Sequence, residues 1–152
     1  MNRDFQHNWK NLFPSVIEYL NSNNMIKIHG ALITLKIITK TFSETEKERS
    51  NQVMNELVPN IFPILSNLFN YLLSQNSENF SQLRHIILKI FWNTLLAIDM
   101  PKFLKKKENF DDWMNLFIKS FQLEIPKDSA YESAFWKNFK WLTHILYRIY
   151  VL

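Results

Sequence analysis

The chain contains no cysteine and only one glycine, Gly30, among its 152 residues. Without cysteine it has no disulfide, no thiolate zinc site and no thiol nucleophile, and a reducing compartment is the expected setting. One glycine leaves few positions that take positive backbone angles freely, which argues against folds built on many tight turns. It also excludes glycine-rich phosphate cradles. Long uncharged apolar runs are missing too. The longest, near 86–100, is cut by Lys89, Asn93 and Asp99, short of the ~18–20 residues of a membrane span. Residues 1–11 lack the hydrophobic segment of a secretory signal. The expectation is a soluble intracellular chain.

Eighteen Lys and Arg against 14 Asp and Glu leave a net charge of +4. The bias runs through the whole sequence, so it is not a nucleic-acid signal. Such an interface needs basic residues gathered on one face, and only Lys102, Lys105, Lys106 and Lys107 come close. What the chain does have is apolar material: 47% hydrophobic and 15% aromatic residues are ample for one compact core.

Three stretches place a basic residue in the same apolar helical setting: Leu35-Lys36-Ile37, Leu88-Lys89-Ile90 and Tyr147-Arg148-Ile149. Their spacings of 53 and 59 positions exceed the ~40–47 residues of paired-helix repeats by an amount that loops absorb. One such unit cannot bury its apolar face alone, so a helical solenoid is expected, acting through surface and curvature.

Helical periodicity predicts six helices, near 8–20, 25–41, 51–74, 79–98, 109–123 and 129–152. Paired, they give one array of about three units over 1–152, near 9–41, 51–98 and 109–152. Pro14 is expected near the first turns of its helix, and Pro59 and Pro63 predict a bend or interruption in the third. Asn24 and Asn109 are expected caps, with Asp111 and Asp112 in the first turn that follows Asn109. Lys105 to Lys107 belong to a solvated loop. The last helix runs into Ile149-Tyr150-Val151-Leu152 without a stop signal, so a further repeat is expected beyond it, and the exposed end should favour self-association.

No catalytic or metal constellation emerges, and no cofactor is expected. His7, His29, His85 and His144 fall on four separate segments without a partner at ligand spacing. Asp111 and Asp112, adjacent on a helix, point ~100° apart. The expectation is therefore a binding protein rather than an enzyme. On helical wheels His85 lies beside Lys89, while Lys137, Trp141 and His144 lie beside Arg148. These six residues form the candidate partner-binding stripe. Two readings stand for them: Lys36, Lys89 and Arg148 as a structural ladder pairing with carbonyls or acids of neighbouring units, or a concave stripe that grips an acidic or extended protein. Trp9, Trp92 and Trp113 are expected in the core.

The run from Phe135 to Tyr150, containing Lys140-Trp141, His144-Ile145-Leu146 and Arg148, resembles a helix of importin-β-type nuclear transport receptors, nearest the branch of importins seven and eight. Trp9 to Leu20 with Pro14, Ala31-Leu32 leading to Lys36 and Lys40, Phe62-Pro63, Leu88 to Phe91, and Glu108 to Met114 agree in the same order. The resemblance implies an all-α superhelix of HEAT-like helix pairs and an internal part of a longer receptor. It further implies cargo, the Ran GTPase and nucleoporins as protein partners, with residence in cytoplasm and nucleus. Family members are several times longer, and the acidic segment often found before the last helix is reduced to Pro126-Lys127-Asp128-Ser129-Ala130. A HEAT-type scaffold outside nuclear transport, or a truncated product without transport activity, is the alternative. No small-molecule substrate, direct nucleic-acid contact or membrane insertion is expected.

Overall fold

Six amphipathic segments fold into six helices with no strand among the described residues. The structure is a computed structural model that describes residues 4–152, and the side chains of residues 11–152. The helices are α1 (Asp4–Leu20), α2 (Met25–Ser43), α3 (Lys47–Leu72), α4 (Glu78–Ile98), α5 (Lys107–Phe121) and α6 (Ala134–Val151), with a short 3-10 helix at Lys102–Lys105 before α5. The fold is an all-α, HEAT-like stack of helix pairs. Trp9 and His7 lie outside the residues whose side chains are described.

The three even-numbered helices form one layer: α2 packs on α4 and α4 on α6. Their order is parallel. Met25 and His29 share a surface depression with Phe80 and Leu83, while Lys36 and Thr39, a few turns on, meet Asn93. Along α6, Asn138 meets Ser81, Trp141 meets Lys89 and Arg148 meets Asp99. The odd-numbered helices lie behind this layer, α1 on α2 and α3 on both α4 and α5.

Aromatic packing joins the second pair to the third. Phe62 of α3, Phe91 of α4 and Trp113 and Phe117 of α5 are buried, with ring centroids 5.1 Å apart for Phe91–Trp113 and Phe91–Phe117 and 5.5 Å for Phe62–Trp113. Rings at these distances add to the burial of their own area. Trp113 is thus in the core, whereas Trp92 is only half-buried and faces α6. Its expected core place is corrected: Trp92 sits on the side of α4 that the neighbouring helix covers only in part.

Helix ends show where local rules hold. Asn24 caps α2, its Oδ1 accepting from the Ile26 and Lys27 amides at 2.9 and 3.2 Å. Asn109 does not cap α5. The helix starts two residues earlier, and Asn109 Nδ2 donates to the Phe103 carbonyl at 2.9 Å, tying α5 to the 3-10 helix. Asp111 therefore falls one turn into α5, where it pairs with Lys107 at 2.8 Å. The basic loop is itself partly helical because Leu104 is buried and anchors it, leaving Lys105 to Lys107 exposed.

Proline does not interrupt α3, which continues through Pro59 and Pro63. Both prolines are exposed, so the carbonyls they leave without a helical donor face water, and ten buried α3 residues hold the helix in place. Pro14 likewise lies in the interior of α1 on its exposed side, because α1 begins at Asp4. The last helix begins at Ala134 rather than near 129, after turns over 127–133. Its buried residues are Asn138, Leu142 and Ile145, and Phe139 and Tyr150, expected on the core side, are exposed. Ile26 and Ile37 of α2 are exposed as well, although that helix was expected to be covered on nearly all sides.

Candidate functional site

The outward face of the α2–α4–α6 layer gathers five of the six stripe residues into two groups, and the sixth stands beside them. The lower group is built on a buried asparagine. Asn138 of α6 donates from Nδ2 to the Ser81 carbonyl of α4 at 2.8 Å and to Ser81 Oγ at 3.1 Å. Its Oδ1 lies 3.2 Å from Nδ1 of His85. His85 is half-buried, and its pKa is lowered to about 4, first by burial and then by Lys89, Lys137 and Lys36, with the Asn138 hydrogen bond opposing. The imidazole is therefore neutral near pH 7.

One turn on, the Lys89 ammonium lies 3.7 Å from the centroid of the Trp141 ring. Trp141 meets Trp92 edge-on at 5.5 Å and lies 5.4 Å from His144, which in turn is 6.2 Å from Trp92. Two helices thus supply a floor of three rings beneath a cation, a geometry that offsets part of the cost of desolvating it. Burial, followed by Lys36 and Lys40, lowers the Lys89 pKa.

Arg148 closes the upper end. Its Nη2 donates to Asp99 Oδ1 at 3.1 Å, while Asp99 Oδ2 accepts from Lys47 at 2.6 Å. Asp99 ends α4 with a φ of 58°, a left-handed backbone angle that aspartate tolerates better than bulky residues. One carboxylate thereby links the start of α3, the end of α4 and α6. The three repeated basic residues differ in setting: Lys36 lends its backbone carbonyl, Lys89 stacks on a ring and Arg148 pairs with an acid. Lys137 is exposed on α6 within electrostatic reach of His85.

The periodicity did not single out the asparagines. Asn93 of α4 donates to the Lys36 carbonyl and to Thr39 Oγ1, both at 3.3 Å, and Asn138 repeats this bridge one layer on, to a carbonyl that is again 57 positions earlier. The available signal was an amide in the middle of an apolar segment, Phe91-Trp92-Asn93-Thr94. Arg84 was missed as well. It is buried, donates to the Leu72 and Gln75 carbonyls and so satisfies the end of α3. Among the described residues no three His, Asp or Glu side chains converge on a possible metal position, and no helix is long and apolar enough to cross a membrane.

Comparison with known proteins adds a direct line. The chain is 27% identical over 157 aligned residues to the importin beta-like SAD2 homolog of Arabidopsis thaliana, covering 97% of the chain and 15% of that protein. It is 25% identical to the probable importin-7 homolog of Dictyostelium discoideum, over 85% of the chain and 12% of that protein. It is 27% identical to importin-8 of Mus musculus, over 97% of the chain and 15% of that protein. No protein-family model and no solved structure matches. The resemblance to importin-β-type receptors therefore extends over nearly the whole chain, which spans less than a sixth of the relatives' length.

Proposed function

We propose that the chain is a protein-binding stretch of an importin-like nuclear transport receptor, one part of a longer array of helix pairs and not an enzyme. The observation that carries this reading is the correspondence of 97% of the chain to proteins named importins, together with a stack of helix pairs of the kind such arrays need. On this reading the chain works in cytoplasm and nucleus. Its partners are proteins: cargo and, through the resemblance, the Ran GTPase and nucleoporins. The stripe of His85, Lys89, Lys137, Trp141, His144 and Arg148 is the surface it offers them. Tryptophan and basic side chains fixed by their neighbours make good interface anchors, because little freedom remains to be lost on binding.

The test is a transplant. This chain replaces the matching segment of mouse importin-8, and import of a cargo of that receptor is followed in permeabilised cells. Import that persists, and that weakens when Lys137 and His144 are both changed to alanine, supports the reading. A folded chimaera that retains no import, while intact importin-8 works beside it, overturns it.

A further inference from the structure

We infer that the outward face of α2, α4 and α6 receives an acidic peptide in extended, polyproline-II form, with carboxylates at every third residue meeting Lys36, Lys89 and Lys137 in turn. This deepens the reading of the chain as a protein-binding segment and rests on it.

The charge pattern comes first. His85, at the centre of the row, feels Lys36 from α2, Lys89 from its own helix and Lys137 from α6, so three lysines on three adjacent helices converge on one place. Lys89 in turn feels Lys36 and Lys40. Among the described residues, every charge acting on these two groups is positive. The nearby acids are already engaged: Glu44 pairs with Lys40 at 2.7 Å, and Asp99 with both Lys47 and Arg148. Arg148 is thus balanced from within, whereas the row of Lys36, Lys89 and Lys137 repels itself and gains from an incoming anion.

Spacing selects the form of the ligand. Packed neighbouring helices stand ~8–10 Å apart, so a chain crossing α2, α4 and α6 meets a new lysine at about that interval. A polyproline-II segment turns once in three residues and rises ~3.1 Å per residue, presenting the same face every ~9 Å. A β-strand turns residues i and i+3 to opposite faces. The extended form also leaves its backbone solvated, which suits a shallow surface.

A single-stranded nucleic acid fits less well. Such ligands need open aromatic faces on which bases stack. Here Lys89 covers a face of Trp141 and the edge-on Trp92 crowds the same ring.

The experiment is a fluorescence-anisotropy titration of the whole chain with a labelled Asp-Pro-Pro repeat of four units. The comparators are a peptide of the same composition with its four aspartates adjacent, a helical alanine-rich peptide with four acids at heptad spacing, and oligouridine. The expected result is tightest binding to the Asp-Pro-Pro repeat, weakened about tenfold by K89Q and several-fold by the fully surface change K137Q. K105Q and K106Q, away from the row, leave it unchanged. Tighter binding to the adjacent-aspartate peptide, to the helical peptide or to oligouridine overturns the proposal. So does affinity for the repeat that is indifferent to K137Q, a variant whose helical circular dichroism is checked to be intact. No binding to the repeat overturns it as well, and leaves the importin transplant as an independent measurement.

Discussion

The Lys89 ammonium rests 3.7 Å above the centre of the Trp141 ring, one residue from α4 and one from α6. It is the point at which a charge, an aromatic ring and a helix–helix seam coincide. Burial and the neighbouring lysines act against the charge on Lys89, while the negative face of the ring acts for it. The two residues are therefore expected to respond unequally to substitution.

Trp141→Ala removes the floor under Lys89 and the partner of Trp92, and is expected to cost about 2–3 kcal/mol of stability. Lys89→Met removes a cation from among cations and keeps an apolar stem over the ring, so stability should change by less than about 1 kcal/mol. Urea denaturation of both variants checks this. A Lys89→Met loss as large as that of Trp141→Ala would show that the ion–ring contact, not packing, holds α4 to α6.

The buried asparagine bridges should be more demanding than their size suggests. Asn138→Leu leaves the Ser81 carbonyl and hydroxyl without their partner, and Asn93→Leu does the same to Lys36 O and Thr39 Oγ1. Each is expected to cost about 2–3 kcal/mol, the penalty for stranded buried polar groups. Because the two bridges lie in different seams, the double variant should lose close to the sum of the singles. A clear departure from additivity would mean that the α2–α4 and α4–α6 seams open together.

Arg84 is expected to resist conservative change. Its guanidinium reaches the Leu72 and Gln75 carbonyls and Asn76 Oδ1 from one planar group, and burial lowers its pKa to about 10, still charged at neutral pH. Lysine places a single ammonium there, which desolvates at greater cost and cannot span three acceptors. Arg84→Lys should thus be nearly as damaging as Arg84→Met, both by about 2–4 kcal/mol, read as the loss in the denaturation midpoint. Full rescue by lysine would show that charge, not the fork of donors, satisfies the end of α3.

These residues also mark what the sequence could and could not convey. The 3.6-residue period carries the number of helices, the burial of Trp113 and the placement of Lys89 and His85 on one side of α4, because all of these are set within a helix. It cannot say which neighbour a side chain will meet. Asn93, placed beside Lys89 by the wheel, turns instead under α2. The buried Arg84 answers to the end of a different helix, and Asp99 to a left-handed backbone angle just past the end of α4. The ladder of Lys36, Lys89 and Arg148 was legible as a repetition, but its chemistry differs at each step because each layer places a different group opposite: an amide, a ring and a carboxylate.

His85 gives the stack a defined acid sensitivity. Its folded pKa is lowered to about 4 from an ordinary 6.5, with burial the largest cause. A base whose folded pKa is depressed is neutral in the fold but takes up a proton in the unfolded chain below pH 6.5. The unfolded state then binds more protons, and stability falls as pH drops through the window from 6.5 to about 4. Above 6.5 the contribution is constant. The full shift would correspond to about 3 kcal/mol, which the partial exposure of the ring reduces to about 1–2 kcal/mol. His85→Gln retains a hydrogen-bonding group toward Asn138 without titrating there. Urea denaturation at pH 7 and at pH 4.5 should therefore show the wild-type chain losing about 1–2 kcal/mol more than His85→Gln between the two conditions. Equal losses in the two proteins would mean that His85 is as easily protonated in the fold as in water, and that the row of lysines around it is weaker than the geometry of α2, α4 and α6 implies.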